Sequence, residues 1–314
     1  MKQVRLHGPN DVRIDEVPEP QAGPRDVVVR VGACGICGSD VGYVKLGGIA
    51  GPTRRPLPLG HELAGVVEQV GADVRGLAVG ACVVVHPGAA GNRIGNGGPE
   101  GGFAPRLLVR NSAAGGSVFP IPEAMPFTIA ALAEPLGVGM NAVDRSEARA
   151  GEKAVVFGAG PIGLCAVATL LDRGVRDVIT VDLSERRLAL ARALGARAAL
   201  SPARDDVWKS IRALHGEVPL MGAPMAASDL YIEASGASPV IGEILQHAKA
   251  EARLSVVALH RQPVPVSFLL VMMKQLTLRG AIEYPADFSE TLALLARRDL
   301  SPLITHRFPL ERFD

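Results

Sequence analysis

The stretch AVVFGAGPIG at residues 154–163 decides the fold of the second half of this chain. A short apolar strand runs directly into three glycines with the spacing G-x-G-x-x-G, and a helix follows. Gly158 makes the tight turn, Gly160 lets the backbone approach a pyrophosphate, and Gly163 allows the helix to pack closely on the strand. The helix N-terminus offers free amides and a positive dipole end to the phosphates. The predicted cofactor contacts in this dinucleotide loop are Gly158, Gly160, Pro161, Ile162 and Gly163.

Asp182 ends the next predicted strand, DVITV at residues 177–181. A carboxylate about 20 residues beyond the loop accepts hydrogen bonds from the adenosine ribose hydroxyls and repels a 2′-phosphate, so we expect NAD rather than NADP. Alternatively, Asp182 only caps the helix that starts at Ser184. Arg187 is a further candidate cofactor contact. Because Arg186 and Arg187 are basic residues close to Asp182, NADP remains an alternative cofactor. Both arginines are otherwise solvated charges of a helix surface.

From residue 154 onward, strands and helices alternate. The predicted strands are 154–157, 177–181, 229–235, 253–260 and 276–282, and the predicted helices are 161–172, 184–194 and 240–250. Alternation of this kind builds a parallel sheet that helices cover on both faces. We therefore expect a doubly wound α/β domain over residues 147–281.

The first 145 residues differ in character, because they are rich in Gly and Pro and carry short Val-rich runs. The runs lie at 26–32, 65–71, 81–87 and 107–110. Short β-rich runs separated by turn residues indicate an antiparallel, barrel-like β-domain. The Gly/Asn-rich stretch 88–102 is expected to be a flexible surface loop and 222–228 a smaller one.

Composition excludes several classes of partner. Lys and Arg number 33 against 32 Asp and Glu, so no single-sign field is available to grip nucleic acid. The N-terminal residues lack the apolar core of a signal peptide, and the apolar stretch 266–273 is far shorter than the roughly 20 residues of a membrane span. We expect a cytoplasmic protein with no membrane or nucleic-acid partner.

Three segments of the first half carry candidate metal ligands. Cys37 lies in GICGSD (35–40), His61 and Glu62 in LGHEL (59–63), and Glu134 in ALAEPL (131–136). In this order, and followed by the dinucleotide loop, the segments resemble the medium-chain zinc-dependent alcohol/polyol dehydrogenases of the sorbitol and butanediol dehydrogenase type. The similarity covers essentially the whole chain.

The resemblance implies both a fold and a ligand set. The fold is α/β, with a GroES-like β-barrel catalytic domain at 1–146 and 282–314 and a doubly wound Rossmann NAD-binding domain at 147–281. Cys37 and His61 match the catalytic zinc ligands, and Glu134 matches the third ligand of the polyol branch. Glu62 matches a neighbouring glutamate that binds zinc directly or through water.

Elementary coordination chemistry agrees with this set. A catalytic zinc needs three protein ligands and one open position, and it lowers the pKa of a hydroxyl bound there. In the family the hydroxyl at Ser39 receives the substrate proton. Asp40 is the candidate that accepts a hydrogen bond from the second ring nitrogen of a ligating histidine.

Each ligand also has a structural alternative. A lone cysteine is most often a small buried apolar residue, and a lone histidine a satisfied core or surface residue. Cys34 and Cys37 form a C-x-x-C that fits a redox pair or half a zinc knuckle, but the glycines around it and the lack of a second pair disfavour both. The remaining cysteines and histidines are assigned to packing or to solvent.

The chain departs from the family at three points. No cysteine occurs in 88–98, where relatives often bind a structural zinc, so we expect one zinc and altered subunit contacts. Gly42 replaces a histidine that finishes the proton relay in many relatives, so the proton must leave by water or by another group such as Tyr43. The sequence also stops about 30 residues before relatives do, which predicts an incomplete catalytic domain without a basic residue near the cofactor phosphates.

Together these features predict a zinc-dependent oxidoreductase that transfers hydride between NAD and a secondary alcohol or polyol and its ketone. The alternative is a non-catalytic nucleotide-binding member of the same superfamily, acting as a sensor or structural protein. Relatives are commonly homodimers or homotetramers that pair Rossmann-domain strands. We expect the same of this chain, with a strand near 264–268 as the pairing edge.

Overall fold

The computed structural model describes residues Met1 to Phe313 and divides the chain into two compact units. One unit comprises Met1–Glu134 and the chain from Phe288 onward, and the other comprises Pro135–Asp287. The domain limits expected from the sequence remain a prediction, because compactness alone does not define where an evolutionary domain begins.

Strands predominate in the first half of the chain, and helices alternate with strands in much of the second half. The strands are β1 (Lys2–Gly8), β2 (Asp11–Glu16), β3 (Val27–Gly35), β4 (Leu57–Pro58), β5 (Glu62–Val70), β6 (Cys82–Val85), β7 (Arg106–Val109), β8 (Val118–Pro120), β9 (Lys153–Phe157), β10 (Asp177–Val181), β11 (Ala198–Leu200), β12 (Glu217–Leu220), β13 (Ala223–Ala226), β14 (Leu230–Glu233), β15 (Arg253–Val256) and β16 (Thr277–Gly280). The helices are α1 (Gly38–Leu46), α2 (Phe127–Ala130), α3 (Ala133–Arg145), α4 (Pro161–Asp172), α5 (Glu185–Leu194), α6 (Val207–His215), α7 (Ser238–His247), α8 (Phe268–Met273) and α9 (Ser289–Arg297). Short 3₁₀ turns lie at Ala89–Gly91, Ser301–Leu303 and Leu310–Arg312.

An antiparallel sheet forms the frame of the first unit, with the strand order β7-β3-β5-β6-β8. Its Val-rich strands alternate their side chains between the two faces, and one face packs into a continuous apolar core. That core includes Val27, Val29, Leu63, Val83 and Leu107. The antiparallel β-domain expected from the short Val-rich runs is confirmed. A second sheet, β2-β1-β4, covers a smaller core around Leu6 and Leu59.

A parallel sheet forms the centre of the second unit, with the strand order β11-β10-β9-β14-β15-β16. Counted from β9, this is the 3-2-1-4-5-6 order of a doubly wound dinucleotide-binding fold, which the sequence predicted. Helix α4 follows β9 directly, with Gly160 as N-cap and Pro161 at its first position. The order of the strands reverses between β9 and β14, which is where such folds bind their ligand.

Two sequence predictions about short segments are wrong. Residues 264–268 form no strand, because Pro263 and Pro265 remove amide donors and Ser267 caps helix α8. Part of the expected loop 222–228 is strand β13, since positive φ at Met221 and Gly222 makes a two-residue hairpin turn. The stretch 88–102 is irregular and partly exposed, as expected of a loop, apart from the 3₁₀ turn at Ala89–Gly91.

Buried side chains tie this stretch into the β-domain. The Asn92 amide donates to the carbonyls of Ala89 and Arg110, each at 2.9 Å, and its Oδ1 accepts from Arg110 N at 2.9 Å. Ile94 is fully buried in the sheet core. Protein hydrogen bonds and apolar packing therefore hold this segment.

His215, which sequence analysis assigned to packing or solvent, has two close partners near the amino ends of the parallel strands. Its Nδ1 lies 2.8 Å from Ser228 Oγ, and its Nε2 lies 3.2 Å from Asp177 Oδ1. Burial lowers the pKa of His215, and Lys153 and Arg197 act in the same direction while Asp177 opposes them. The folded protein therefore resists a proton that the unfolded chain accepts.

This difference predicts acid sensitivity that a substitution at His215 reduces. Below pH of about 6.5 the unfolded chain binds a proton at His215 that the native state excludes, so stability falls as pH falls toward the lower native pKa. When the pH is lowered from about 7.5 to about 5.5, the melting temperature of both proteins is expected to fall. The fall should be roughly a few degrees smaller in His215→Gln than in the wild type. Differential scanning calorimetry measures this. His306→Gln, a substitution of an exposed histidine, is the matched control. A fall in melting temperature as large in His215→Gln as in the wild type would contradict the prediction.

Candidate metal and cofactor sites

The first candidate site begins where strand β3 ends and helix α1 starts. Cys37 is the N-cap of α1, in an extended conformation, and its backbone N–H donates to Asp40 Oδ2 at 2.9 Å. This capping box needs an acceptor three residues into the helix, which Asp40 supplies. The same local sequence therefore starts the helix and fixes the direction of the Cys37 thiol.

Strand β5 brings the second part of the site to the same place. Gly60 precedes it with φ +90°, and its N–H donates to Asp40 Oδ1 at 3.3 Å. His61 follows, with Nδ1 lying 3.6 Å from the same Asp40 oxygen. Asp40 is 2% exposed, so its carboxylate joins the end of one strand to the start of another inside the protein.

Cys37, His61 and Glu62 form a compact set of donors. One ligand atom from each lies within 4.8 Å of the others, and His61 and Glu62 are buried. Strand pairing places Glu62 opposite Gly35, which has no side chain to displace the carboxylate. A Cβ at Gly35 would lie 2.0 Å from Glu62 Oε2.

Glu134, the third predicted ligand, lies at the start of helix α3 and is 4% exposed. Its carboxylate acts electrostatically on both His61 and Glu62. The structure thus gathers Cys37, His61 and Glu62 most tightly, while Glu134 adds negative charge from a separate element.

The electrostatics of the cluster show an excess of negative charge. Burial opposes a charged imidazole, but the close approach of Asp40 and Cys37 and the charges of the nearby carboxylates raise the pKa of His61 to about 12. Burial, followed by repulsion from Glu134, raises the pKa of Glu62 to about 8. Carboxylates gathered in a buried site resist ionisation unless a cation compensates them.

The donor set fits a zinc ion. Sulfur, imidazole nitrogen and carboxylate oxygen are the ligands that zinc takes, and a divalent cation would offset the negative charge. The buried His61 Nδ1 has no hydrogen-bond partner within the described residues, yet it faces Asp40. A carboxylate behind a ligating imidazole is the usual arrangement in metal sites.

Helix α1 carries two further polar side chains, Ser39 and Tyr43. Ser39 Oγ lies 3.4 Å from His61 Nε2, and Gly42 is a buried position of α1 without a side chain. Tyr43 O–H donates to Asn96 Oδ1 at 3.0 Å. Asn96 was not predicted as a site residue, because its only signal in the sequence was its position in a glycine-rich stretch.

The second candidate site is the dinucleotide loop between β9 and α4. Gly158 has φ +98°, and a Cβ there would lie 2.7 Å from the backbone of Ala234. At Gly163 a Cβ would lie 1.8 Å from Gly158 O, so this glycine permits close packing. A Cβ at Gly160 would meet nothing within 4 Å, so there is space for a ligand to approach the backbone of the loop here. Each glycine stands where pyrophosphate binding needs it.

Asp182 adjoins this loop at the carboxyl end of β10. Its Oδ2 accepts from Ala159 N at 2.7 Å, and its Oδ1 accepts from Ser184 N at 2.8 Å. Ser184 itself caps helix α5, so Asp182 is not the only cap there. Two of the roughly four acceptor positions of the carboxylate are in use, which leaves capacity for ribose hydroxyls. Arg187 lies in the first turn of α5 and is exposed.

Comparison with known protein families gives two matches. Residues 23–123 match the model described as alcohol dehydrogenase GroES-like domain, and residues 161–297 match the one described as zinc-binding dehydrogenase. The confirmed architecture is therefore a GroES-like domain joined in sequence to a Rossmann-like domain. No helix in the described part of the chain is long and apolar enough to cross a membrane.

Two curated relatives are similar along almost the whole chain. The (R,R)-butanediol dehydrogenase of Neisseria gonorrhoeae is 35% identical, covering 99% of this chain and 93% of the relative. Human sorbitol dehydrogenase is 31% identical, covering 98% of this chain and 89% of the relative. Both names describe alcohol or polyol oxidoreductases, and neither supports a non-catalytic role.

Solved structures agree with this. The 2R,3R-butanediol dehydrogenase of Bacillus subtilis superimposes with a TM-score of 0.83 at 29% identity, covering 95% of this chain and 89% of the other. A protein of Sinorhizobium meliloti 1021, described as a zinc-binding dehydrogenase and bound to NADP, gives 0.80 at 27% identity, with 94% and 88% covered.

The Glu62–Gly35 contact predicts how a single methyl group affects metal binding. In Gly35→Ala the new Cβ pushes the Glu62 carboxylate out of the cluster, while the flexible side chain lets the fold survive. Zinc affinity, measured by competition with a chelator, is expected to fall about tenfold or more. Gly38→Ala is the matched control, since a Cβ there meets nothing within 4 Å. Unchanged zinc affinity in a folded Gly35→Ala protein would contradict the placement of Glu62.

Proposed function

We propose that this chain, which belongs to the zinc-dependent medium-chain alcohol and polyol dehydrogenase family, oxidises a secondary alcohol or polyol to its ketone with NAD and one catalytic zinc. Membership makes it an oxidoreductase with zinc, a nicotinamide cofactor and a small-molecule substrate. The observation that carries the finer proposal is the buried Cys37–His61–Glu62 cluster, whose donors lie within 4.8 Å of one another.

In this proposal Cys37, His61 and Glu62 hold the zinc, and Glu134 faces it as a further carboxylate. The compact spacing and burial of the first three support their role. The influence of the Glu134 charge on His61 and Glu62 supports its place beside them. Asp40 orients His61 and at the same time anchors Cys37, so it positions two ligands without binding the metal.

When bound, zinc would polarise the substrate hydroxyl as a Lewis acid, and the nicotinamide would accept hydride. Ser39 receives the hydroxyl proton, supported by its position 3.4 Å from His61 Nε2. Tyr43 is the polar side chain that replaces the family's relay histidine, since Gly42 carries none and Asn96 holds the Tyr43 hydroxyl at 3.0 Å. Water is proposed as the final proton acceptor, because Tyr43 is partly exposed.

NAD rather than NADP follows from Asp182 in this proposal. The carboxylate sits beside the dinucleotide loop with acceptor capacity left, and a 2′-phosphate there would meet its negative charge. Arg187 is exposed at the start of α5 and is proposed to contact the adenosine end of the cofactor.

We further propose a homodimer or homotetramer, supported by helix α8, where Phe268, Leu269 and Met272 are each more than 60% exposed. The single-zinc stoichiometry is supported by the hydrogen-bonded 88–102 segment, which contains no cysteine. A cytoplasmic location and the domain limits 1–146 with 282–314 and 147–281 remain predictions.

The decisive experiment combines metal analysis with turnover. Purified protein is expected to contain about one zinc per chain and to reduce NAD with at least one member of a panel of secondary alcohols and polyols. His61→Ala should lose the zinc and at least about 100-fold in kcat/KM, since the site loses a ligand. His7→Ala, outside the cluster, is the matched control. A chain without zinc and without turnover on the whole panel would contradict the proposal.

Asp182 gives a test of cofactor choice. Asp182→Ala is expected to shift the ratio of kcat/KM for NAD over NADP by about tenfold or more toward NADP, because ribose hydrogen bonds and the repulsion of the 2′-phosphate are lost together. If the substitution distorts the loop and lowers kcat/KM for both cofactors equally, the ratio of the two values does not change. Glu185→Ala removes an exposed carboxylate at the start of the following helix α5 and serves as the control. An unchanged ratio in Asp182→Ala would mean that this residue does not select the cofactor.

A further inference from the structure

Glu233 is a fully buried carboxylate at the carboxyl end of β14. Its Oε1 accepts from Ser235 N at 2.9 Å, from Ser235 Oγ at 2.6 Å and from Gly236 N at 2.9 Å. Its Oε2 lies 2.7 Å from His260 Nε2. Every oxygen of this side chain is therefore used to hold a loop at the end of a strand.

The backbone around Glu233 extends the same connections. Its carbonyl oxygen accepts from Val257 N at 2.9 Å and from Ala258 N at 3.2 Å, just beyond β15. The next residue, Ala234, donates its N–H to Phe157 O at 2.8 Å, immediately before the dinucleotide loop. Glu233 is thus connected to the loops that follow β9, β14 and β15.

The three loops also touch one another directly. The backbone of Ala234 and Ser235 lies against Gly158, where a Cβ would be 2.7 Å away. On its other side, Gly236 lies against the carbonyl of Leu259, 3.6 Å from the position of a Cβ. The turn 234–236 is therefore packed between the dinucleotide loop and the loop that ends at His260.

His260 is the partner that completes this arrangement. Sequence analysis assigned it to packing or solvent, yet its side chain is only 12% exposed and reaches Glu233 from the neighbouring loop. A buried carboxylate is costly unless it is paired and hydrogen-bonded, so the imidazole stabilises Glu233 in place. His260 Nδ1 is buried and has no hydrogen-bond partner in the described part of the chain.

We propose that Glu233 and His260 are a positioning pair that sets the shape of the cofactor site at the point where the strand order reverses. The pair locks the loops after β14 and β15 against the dinucleotide loop, and so determines how tightly the nicotinamide cofactor binds. Neither side chain is required to touch the cofactor. The inference rests on the proposed function, because it concerns the cofactor of that reaction.

The test uses two substitutions of His260 in the full chain. His260→Leu removes the donor to Glu233, and the dissociation constant for NADH, measured by fluorescence titration, is expected to rise about tenfold, which is about 1.4 kcal/mol. His260→Gln keeps an N–H donor of similar reach, so it should recover most of the affinity. Zinc content should stay unchanged in both variants.

The matched control is His215→Leu, the same change at the opposite, amino end of the same sheet. It should lower the melting temperature and leave the NADH dissociation constant unchanged. If His260→Leu behaves in the same way, with unchanged affinity for NADH, His260 is structural only and the proposal is overturned. The proposal is also overturned if His260→Gln is as weak as His260→Leu.

Ser235→Ala provides a second route if His260→Leu does not fold. It removes one hydrogen bond to Glu233 Oε1 from a partly exposed turn, and a rise of about threefold in the NADH dissociation constant is expected. An unchanged constant would overturn the proposal. Wild-type protein that binds neither NADH nor NADPH would instead overturn the proposed function, so the two failures are distinguishable.

Discussion

The candidate metal-binding cluster depends on the contacts of one buried carboxylate, that of Asp40. One oxygen accepts from Cys37 N, and the other accepts from Gly60 N and faces His61. The two segments that carry the donors are far apart in the sequence, and this buried group holds them in register. Asp40 therefore acts on the cluster through the backbone of Cys37 and Gly60 and through the imidazole of His61. Its cost of burial is offset by directional hydrogen bonds.

A similar device organises the second unit. There Glu233 connects the loops at the carboxyl ends of the parallel strands, as Asp40 connects β3 with β5. In both places a buried carboxylate gathers backbone N–H groups, and a histidine lies beside it. Backbone N–H groups are left unpaired where strands end, and the loops that carry functional residues start there. One acidic residue at such an end can therefore accept hydrogen bonds from several loops and hold them in place. The reactive groups are therefore placed by residues that do not take part in the chemistry.

Local sequence signals predicted much of this structure. Helix α4 begins and ends where Pro161 and Asp172 were expected, because the glycine loop and a terminal glycine define it. Cys37, His61 and Glu62 were identifiable from two short segments, and they do lie together. The failures lie where tertiary contacts decide. The pairing of Glu233 with His260 has no local signature, and Asn92 turned a glycine-rich stretch into a hydrogen-bonded segment.

The central claim is that this cluster binds a catalytic zinc through Cys37, His61 and Glu62. Anomalous diffraction from crystals, recorded on both sides of the zinc absorption edge, tests it most directly. A single strong peak within about 2.0–2.3 Å of Cys37 Sγ, His61 Nε2 and a Glu62 oxygen is the expected result. A map without a peak at this cluster, or with the zinc bound by other residues, would contradict the claim.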